Sequence, residues 1–227
     1  MLVIGRGGGL RVGDAAPPIE ATTHQGLHLN LQKLLENGPV VLYFYPRDET
    51  PGCTAQACAF RDAYEDFVDA GAQVIGVSSD GADSHRGFAD RHGLPFPLIS
   101  DTDGSLRQAF GVSRTFGLLP GRVTYVVGQD GIIYHVFSSQ LRPDQHIPQA
   151  LAVVERLLEA RRLEQTGVVG HRRRRAQRGI VPERARDARG RRSRVGAESR
   201  HCGPATVVLL RVEVDGDLPA AGHPHVR

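Results

Sequence analysis

Apolar positions along the first two thirds of the chain fall into two spacings. In LNLQKLLENG, Leu31, Leu34 and Leu35 share one helical stripe that Gly38 closes. The run PVVLYFYP is continuously apolar over residues 40–45, rich in β-formers and bounded by prolines, which predicts a central strand buried on both faces. Helical spacing returns at Ala57, Phe60, Tyr64, Phe67 and Val68 and stops at Gly71. A second buried strand is predicted over residues 73–78, then a short helix with Ser84 as N-cap and Gly93 as its stop. FPLISD reads as a short strand, and GSLRQAFGV as a short helix carrying Leu106, Ala109 and Phe110. GRVTYVVGQDGIIYHVF gives two strands joined at Gln129-Asp130-Gly131, a hairpin signal. In the last helix, Ile147, Leu151, Val154 and Leu158 form a stripe for packing on the sheet.

The resulting β-α-β-α-β-α-β-β-α order predicts an α/β fold, with helices on both faces of a central sheet made mixed by its antiparallel final hairpin. It excludes a helical bundle and a β-sandwich. From Gly167 onward periodicity stops and Arg dominates, so the chain divides into a folded domain, 1–163, and a basic low-complexity extension, 164–227, expected to be disordered. Within that extension, ATVVLLRVEVDG has strand character but no evident partner.

Charge follows the same division. The net +3 of the 227 residues hides a segment 1–160 with 12 basic and 18 acidic residues and a remainder with 16 Arg and 7 acids. No apolar run approaches the roughly 20 residues that span a bilayer. The N-terminal run is too short for a secretory signal, and three cysteines do not make a secreted disulfide scaffold. A soluble cytoplasmic protein is the default expectation.

Two of the three cysteines, Cys53 and Cys58, lie at the start of the helix that follows the central strand. In a first helical turn, unpaired backbone N–H groups and the helix dipole favour an anion, and hence the thiolate, which is the nucleophilic form. Accessibility would then make Cys53 reactive. Five residues of regular helix separate two Cα atoms by roughly 8.6 Å, beyond the limit of about 7 Å for a disulfide. If the pair is a redox couple, the first turns must unwind. Inert burial as small apolar groups remains open. Two cysteines without a near His do not complete a zinc site, and the C-x-x-C of a dithiol exchanger is absent.

The neighbours favour chemistry. Pro46 ends the strand and is placed to shield a thiolate, and Thr50 offers a hydroxyl at the helix mouth or a plain N-cap. A thiolate nucleophile also needs a cation to stabilise charge passing to a leaving oxygen. Arg122, at the start of RVTYVV, is the best candidate, ahead of Arg47 and of Arg61, which is expected to pair with Asp62 or Glu65.

YFYPRDETPGCTAQACAFRD resembles the active-site segment of the peroxiredoxins, P-x-x-x-T-x-x-C, at Pro46, Thr50 and Cys53. With Cys58, it is similar to the Q-type or bacterioferritin-comigratory subgroup. FGVSRTFGLLPGRVTYVVGQDGIIYHVF resembles a later part of that subgroup, with Arg122 at the position of the arginine that completes the site. Gln56 stands where the family's Glu or Gln orients that arginine. The resemblance covers about residues 10–161 and implies a thioredoxin-like fold and a thiol peroxidase acting on hydrogen peroxide and organic hydroperoxides. It further implies Cys53 as peroxidatic nucleophile, Cys58 as resolving cysteine, an intramolecular disulfide, recycling by thioredoxin or a similar dithiol protein, and commonly a monomer. No metal, haem or flavin is required. The wording of EATTHQGLHLN departs from the family's, so irregular first strands are expected.

HRRRRAQR and RRSR in the extension are compatible with phosphate contacts, but without interleaved aromatics or a reading module a solvated tail is favoured over nucleic-acid binding. Cys202 lacks the helical setting of Cys53 and reads as an unspecialised thiol. His24, His28, His85 and His92 have no carboxylate cluster beside them in sequence and are expected at the surface. The competing functional classes are a thioredoxin-fold thiol-disulfide exchanger without peroxidase activity and a nucleic-acid-associated protein acting through its tail.

Overall fold

The computed structural model describes residues 9–113 and 121–165. Its centre is a five-stranded mixed sheet in the order β5-β4-β3-β6-β7. The strands are β3 (Val40–Phe44), β4 (Gln73–Ser78), β5 (Leu98–Ser100), β6 (Val123–Val127) and β7 (Ile133–Ser138). β3 runs parallel to β4, and β4 to β5. β6 is antiparallel to β3, and β7 to β6. This is the thioredoxin-like arrangement, with helices over both faces.

Side chains of β3 alternate between two cores, as a strand covered on both sides requires. Val41 and Tyr43 pack beneath Ala57 and Phe60 of α2 (Pro51–Asp62), Phe67 of α3 (Tyr64–Asp69), Phe88 of α4 (Ala82–His92) and Val154 of α6 (His146–Gln165). Val40, Leu42 and Phe44 pack with Leu31 and Leu35 of α1 (Leu31–Asn37) and with Phe110 just beyond α5 (Ser105–Ala109). The leucine stripe was legible because α1 buries one face, and the apolar run because β3 is buried on both.

Four expectations are corrected. Residues 20–30 are regular, an antiparallel ribbon of β1 (Glu20–Thr22) and β2 (His28–Asn30). Three-residue strands are too short to show a period. The helix expected to run on to Gly71 is two helices, broken at Ala63, whose φ of −98° and ψ of 9° leave the helical well. Ser84 does not cap α4; Gly81 holds the N-cap position, and the Ser84 hydroxyl donates to Asp48 Oδ2 at 2.8 Å. His24 and His85 are 5% and 0% exposed, so neither is a surface histidine. The basic segments, Cys202 and the strand-like ATVVLLRVEVDG lie outside the described residues. Among the described residues, no helix is long and apolar enough to cross a membrane.

Candidate active site

The site forms where β3 ends and α2 begins. β3 is central, and antiparallel pairing sets Phe44 opposite Val123. The residue before Val123, Arg122, therefore arrives at the same sheet edge as the turn that leads into α2. Its Nη2 donates to Cys53 Sγ at 3.3 Å. Its Nη1 donates to Gln56 Oε1 and to the Gly52 carbonyl, the latter at 3.4 Å. Gln56 lies three residues beyond Cys53, so both side chains leave the same face of α2. Gly52 is part of the fit: a Cβ there would sit 3.4 Å from Arg122 Nη2.

Thr50 is the N-cap residue of α2, with extended backbone, and Pro51 opens the first turn. The Thr50 carbonyl accepts from the Cys53 and Thr54 amides at 3.0 and 2.9 Å. Its hydroxyl does not cap the helix; it donates to the Arg47 carbonyl at 3.1 Å, leaving its lone pairs for another donor. Pro46 and Thr50 are both half-buried at the rim.

Cys53 itself is a free thiol, so no bond joins it to Cys58. It is only 1% exposed, so the accessibility on which its reactivity depends is not met with the rim closed. A reactant must be small, or the rim must move. Cys58 lies in the same unbroken helix, at 9% exposure.

Three further groups escaped sequence reading. Arg107 of α5 is 8% exposed; its Nη2 donates to the Tyr45 carbonyl and its Nη1 to the Gly121 carbonyl at 3.2 Å. It thus ties the residue before Pro46 to the residue before Arg122. Burial lowers the Arg107 pKa, while Asp101 opposes the shift. Asp48, inside the turn, is 5% exposed and accepts from the Tyr45 hydroxyl at 2.7 Å. Burial alone would raise the Asp48 carboxyl; hydrogen bonds from His85 and Tyr45 outweigh it and hold the pKa below the ordinary value. His146 is fully buried beside Thr124, which shares a β6 face with Arg122. Burial keeps the His146 ring neutral, with its one proton on Nε2 facing the Ser139 carbonyl at 3.0 Å and Nδ1 accepting from the Thr124 hydroxyl at 2.8 Å. Burial brings its pKa down to about 4, with the Arg122 charge adding to the effect and the Ser139 bond opposing it. Helical and strand periods carry no mark of such contacts between distant elements. Among the described residues, no group of three or more His, Cys, Asp or Glu side chains is placed to hold a metal ion.

Residues 12–136 match the AhpC/TSA family. The chain belongs to that family. Chloroplastic peroxiredoxin Q of Sedum lineare is 47% identical over 146 residues, which cover 64% of this chain and 78% of the relative. The crystal structure of peroxidoxin BcpB from Mycobacterium tuberculosis superimposes with a TM-score of 0.60 at 37% identity, covering 64% of this chain and 96% of that one. A Xanthomonas campestris bacterioferritin comigratory protein, studied for alkyl peroxide reduction, matches with a TM-score of 0.58 at 28% identity, covering 64% and 99%. The protein is therefore a family member of the peroxiredoxin Q type, an oxidoreductase of the peroxidase class. The cytoplasmic expectation is overturned by plant relatives of 44–48% identity that bear the name chloroplastic peroxiredoxin Q.

Proposed function

We propose that the protein reduces hydrogen peroxide and organic hydroperoxides through Cys53 and Cys58. The observation that carries this reading is the Arg122 guanidinium 3.3 Å from Cys53 Sγ, at the first turn of α2. The Cys53 thiolate attacks one peroxide oxygen, an S–O bond forms, and the O–O bond breaks with its electron pair leaving on the second oxygen. That oxygen takes a proton and departs as water or alcohol; Cys53 becomes a sulfenic acid. Arg122 stabilises the charge as it moves from sulfur to the leaving oxygen. Thr50 directs its free lone pairs toward the peroxide O–H, Pro46 screens the sulfur from bulk water, and Gln56 orients Arg122.

In the fully reduced chain, the Cys58 thiolate then attacks the sulfenic sulfur. An S–S bond forms and hydroxide leaves, to be protonated to water. Thioredoxin or a similar dithiol protein returns two electrons and two protons and is itself oxidised to a disulfide. Because both cysteines belong to one chain, a monomer completes the cycle. The test is peroxide consumption coupled to thioredoxin and its reductase: turnover is expected for the wild type and lost in Cys53→Ser. Absence of wild-type turnover, with Cys53 unoxidised by peroxide, would refute the reading.

A further inference from the structure

The turn carrying Pro46 and Thr50 is tied to α4 at both ends of that helix. At the first turn of α4, His85 Nδ1 lies 2.9 Å from Asp48 Oδ2, and the Ser84 hydroxyl donates to the same oxygen at 2.8 Å. At the last turn, Arg91 and His92 reach the Glu49 carboxylate at 2.9 and 3.3 Å. Between these ties the Glu49 backbone has a φ of +59°, the one non-glycine residue in the left-handed region among the described residues. That conformation is costly for a side chain with a Cβ and persists where the surroundings over-determine it.

His85 has a second contact that bears on its charge. Its Nε2 lies 3.2 Å from the Ile99 carbonyl, which can only accept. Nε2 therefore carries a proton. Nδ1 lies 2.9 Å from the Asp48 carboxylate, an acceptor, and 3.3 Å from the Tyr45 hydroxyl; the shorter contact makes it a donor to Asp48. Both ring nitrogens thus face acceptors, an arrangement that an imidazolium fits. His85 is 0% exposed and Asp48 5%, so the two form a buried ion pair. Such a pair is weak as a source of stability, because desolvation offsets attraction, but it is strict about geometry. Asp48 is fixed further by its own amide, which donates to Asp80 Oδ2 at 2.8 Å.

We propose that the buried Asp48–His85 ion pair is a positioning device for the proposed peroxide reaction, holding the turn so that Thr50 stands at its working place beside Cys53. The inference rests on the peroxidase reading. It also names a boundary: residues up to Asp48 stay anchored to α4 and β4 when α2 unwinds, so opening begins beyond the pair.

Two measurements on the full reduced chain test it. Nitrogen-15 NMR of the imidazoles at pH 7 is expected to show protons on both His85 nitrogens; a neutral ring overturns the ion pair whatever the protein's activity. Stopped-flow oxidation of Cys53 by hydrogen peroxide is then compared with its alkylation by iodoacetamide in Asp48→Asn and His85→Gln. The peroxide rate is expected to fall about tenfold or more, as small misplacements of reacting groups do, with alkylation unchanged or faster. Peroxide rates within about twofold of wild type in the folded variants, or an equal fall in both rates, contradict a positioning role. Should either variant fail to fold, Ser84→Ala removes one donor to Asp48 and is expected to slow the peroxide reaction alone by about threefold; no change there contradicts the proposal equally. Wild-type protein that is alkylated but inert to peroxide would instead refute the peroxidase reading, leaving the NMR result to decide the pair.

Discussion

Arg122 reaches Cys53 across 69 residues of sequence because β6 pairs antiparallel with β3, setting Val123 opposite Phe44 at the edge where α2 begins. The cation is delivered by strand register, and its direction is fixed by Gln56 and the Gly52 carbonyl. Arg122→Ala is expected to slow oxidation of Cys53 by peroxide by about 10²–10³, the usual cost of losing one aimed donor to developing charge. Arg122→Lys is expected to recover little, since an ammonium cannot serve Sγ and Gln56 in one plane. Single-turnover oxidation at fixed pH checks both.

His146 gives the fold a defined acid sensitivity. Its native pKa of about 4 lies below the ordinary histidine value, so the unfolded chain binds the proton first. Above about pH 6.5 the group contributes no pH dependence; between there and about pH 4 stability falls as pH falls, by on the order of 3 kcal/mol. Urea denaturation of wild type and His146→Gln across pH 4 to 7 is expected to show a flatter slope in the variant. Identical slopes would remove His146 as the source.

Gly76 in β4 is a packing requirement. A Cβ there would meet Leu98 Cδ2 at 2.6 Å and the Tyr43 ring at 2.8 Å. Tyr43 stacks on Phe60 of α2 with centroids 4.5 Å apart, so strain at Gly76 reaches the floor of the site. Gly76→Ala is expected to cost about 1–3 kcal/mol in chemical denaturation.

The residues that speak through local spacing were legible in the sequence. Cys53, Thr50 and Pro51 announce a strand-to-helix turn, and the run from Val40 announces the strand before it. Arg122 was found because it stands at a strand mouth within an apolar stretch. What stayed hidden depends on contacts between elements far apart in the chain. Asp48 and His85, 37 positions apart, meet only once α4 lies beside the turn, and Arg107 acts through carbonyls that any residue could supply. Ala63 breaks a helix without any sequence mark, because an alanine favours continuation and only packing overrides it.

The spacing of Cys53 and Cys58 makes the strongest demand on the account. Both lie in one continuous helix, α2, where regular geometry holds their Cα atoms roughly 8.6 Å apart. Joining them must unwind the first turns and break the bonds that Arg122 makes to Cys53 and Gln56. The direct measurement is one equivalent of hydrogen peroxide added to the reduced protein, followed by peptide mass spectrometry and amide hydrogen exchange. The account predicts a Cys53–Cys58 disulfide, loss of amide protection from Cys53 to Cys58 with protection kept in β3, and a trapped Cys53 sulfenic acid in Cys58→Ser. Peroxide consumption with no Cys53–Cys58 disulfide, or a disulfide formed with α2 still fully protected, would contradict it.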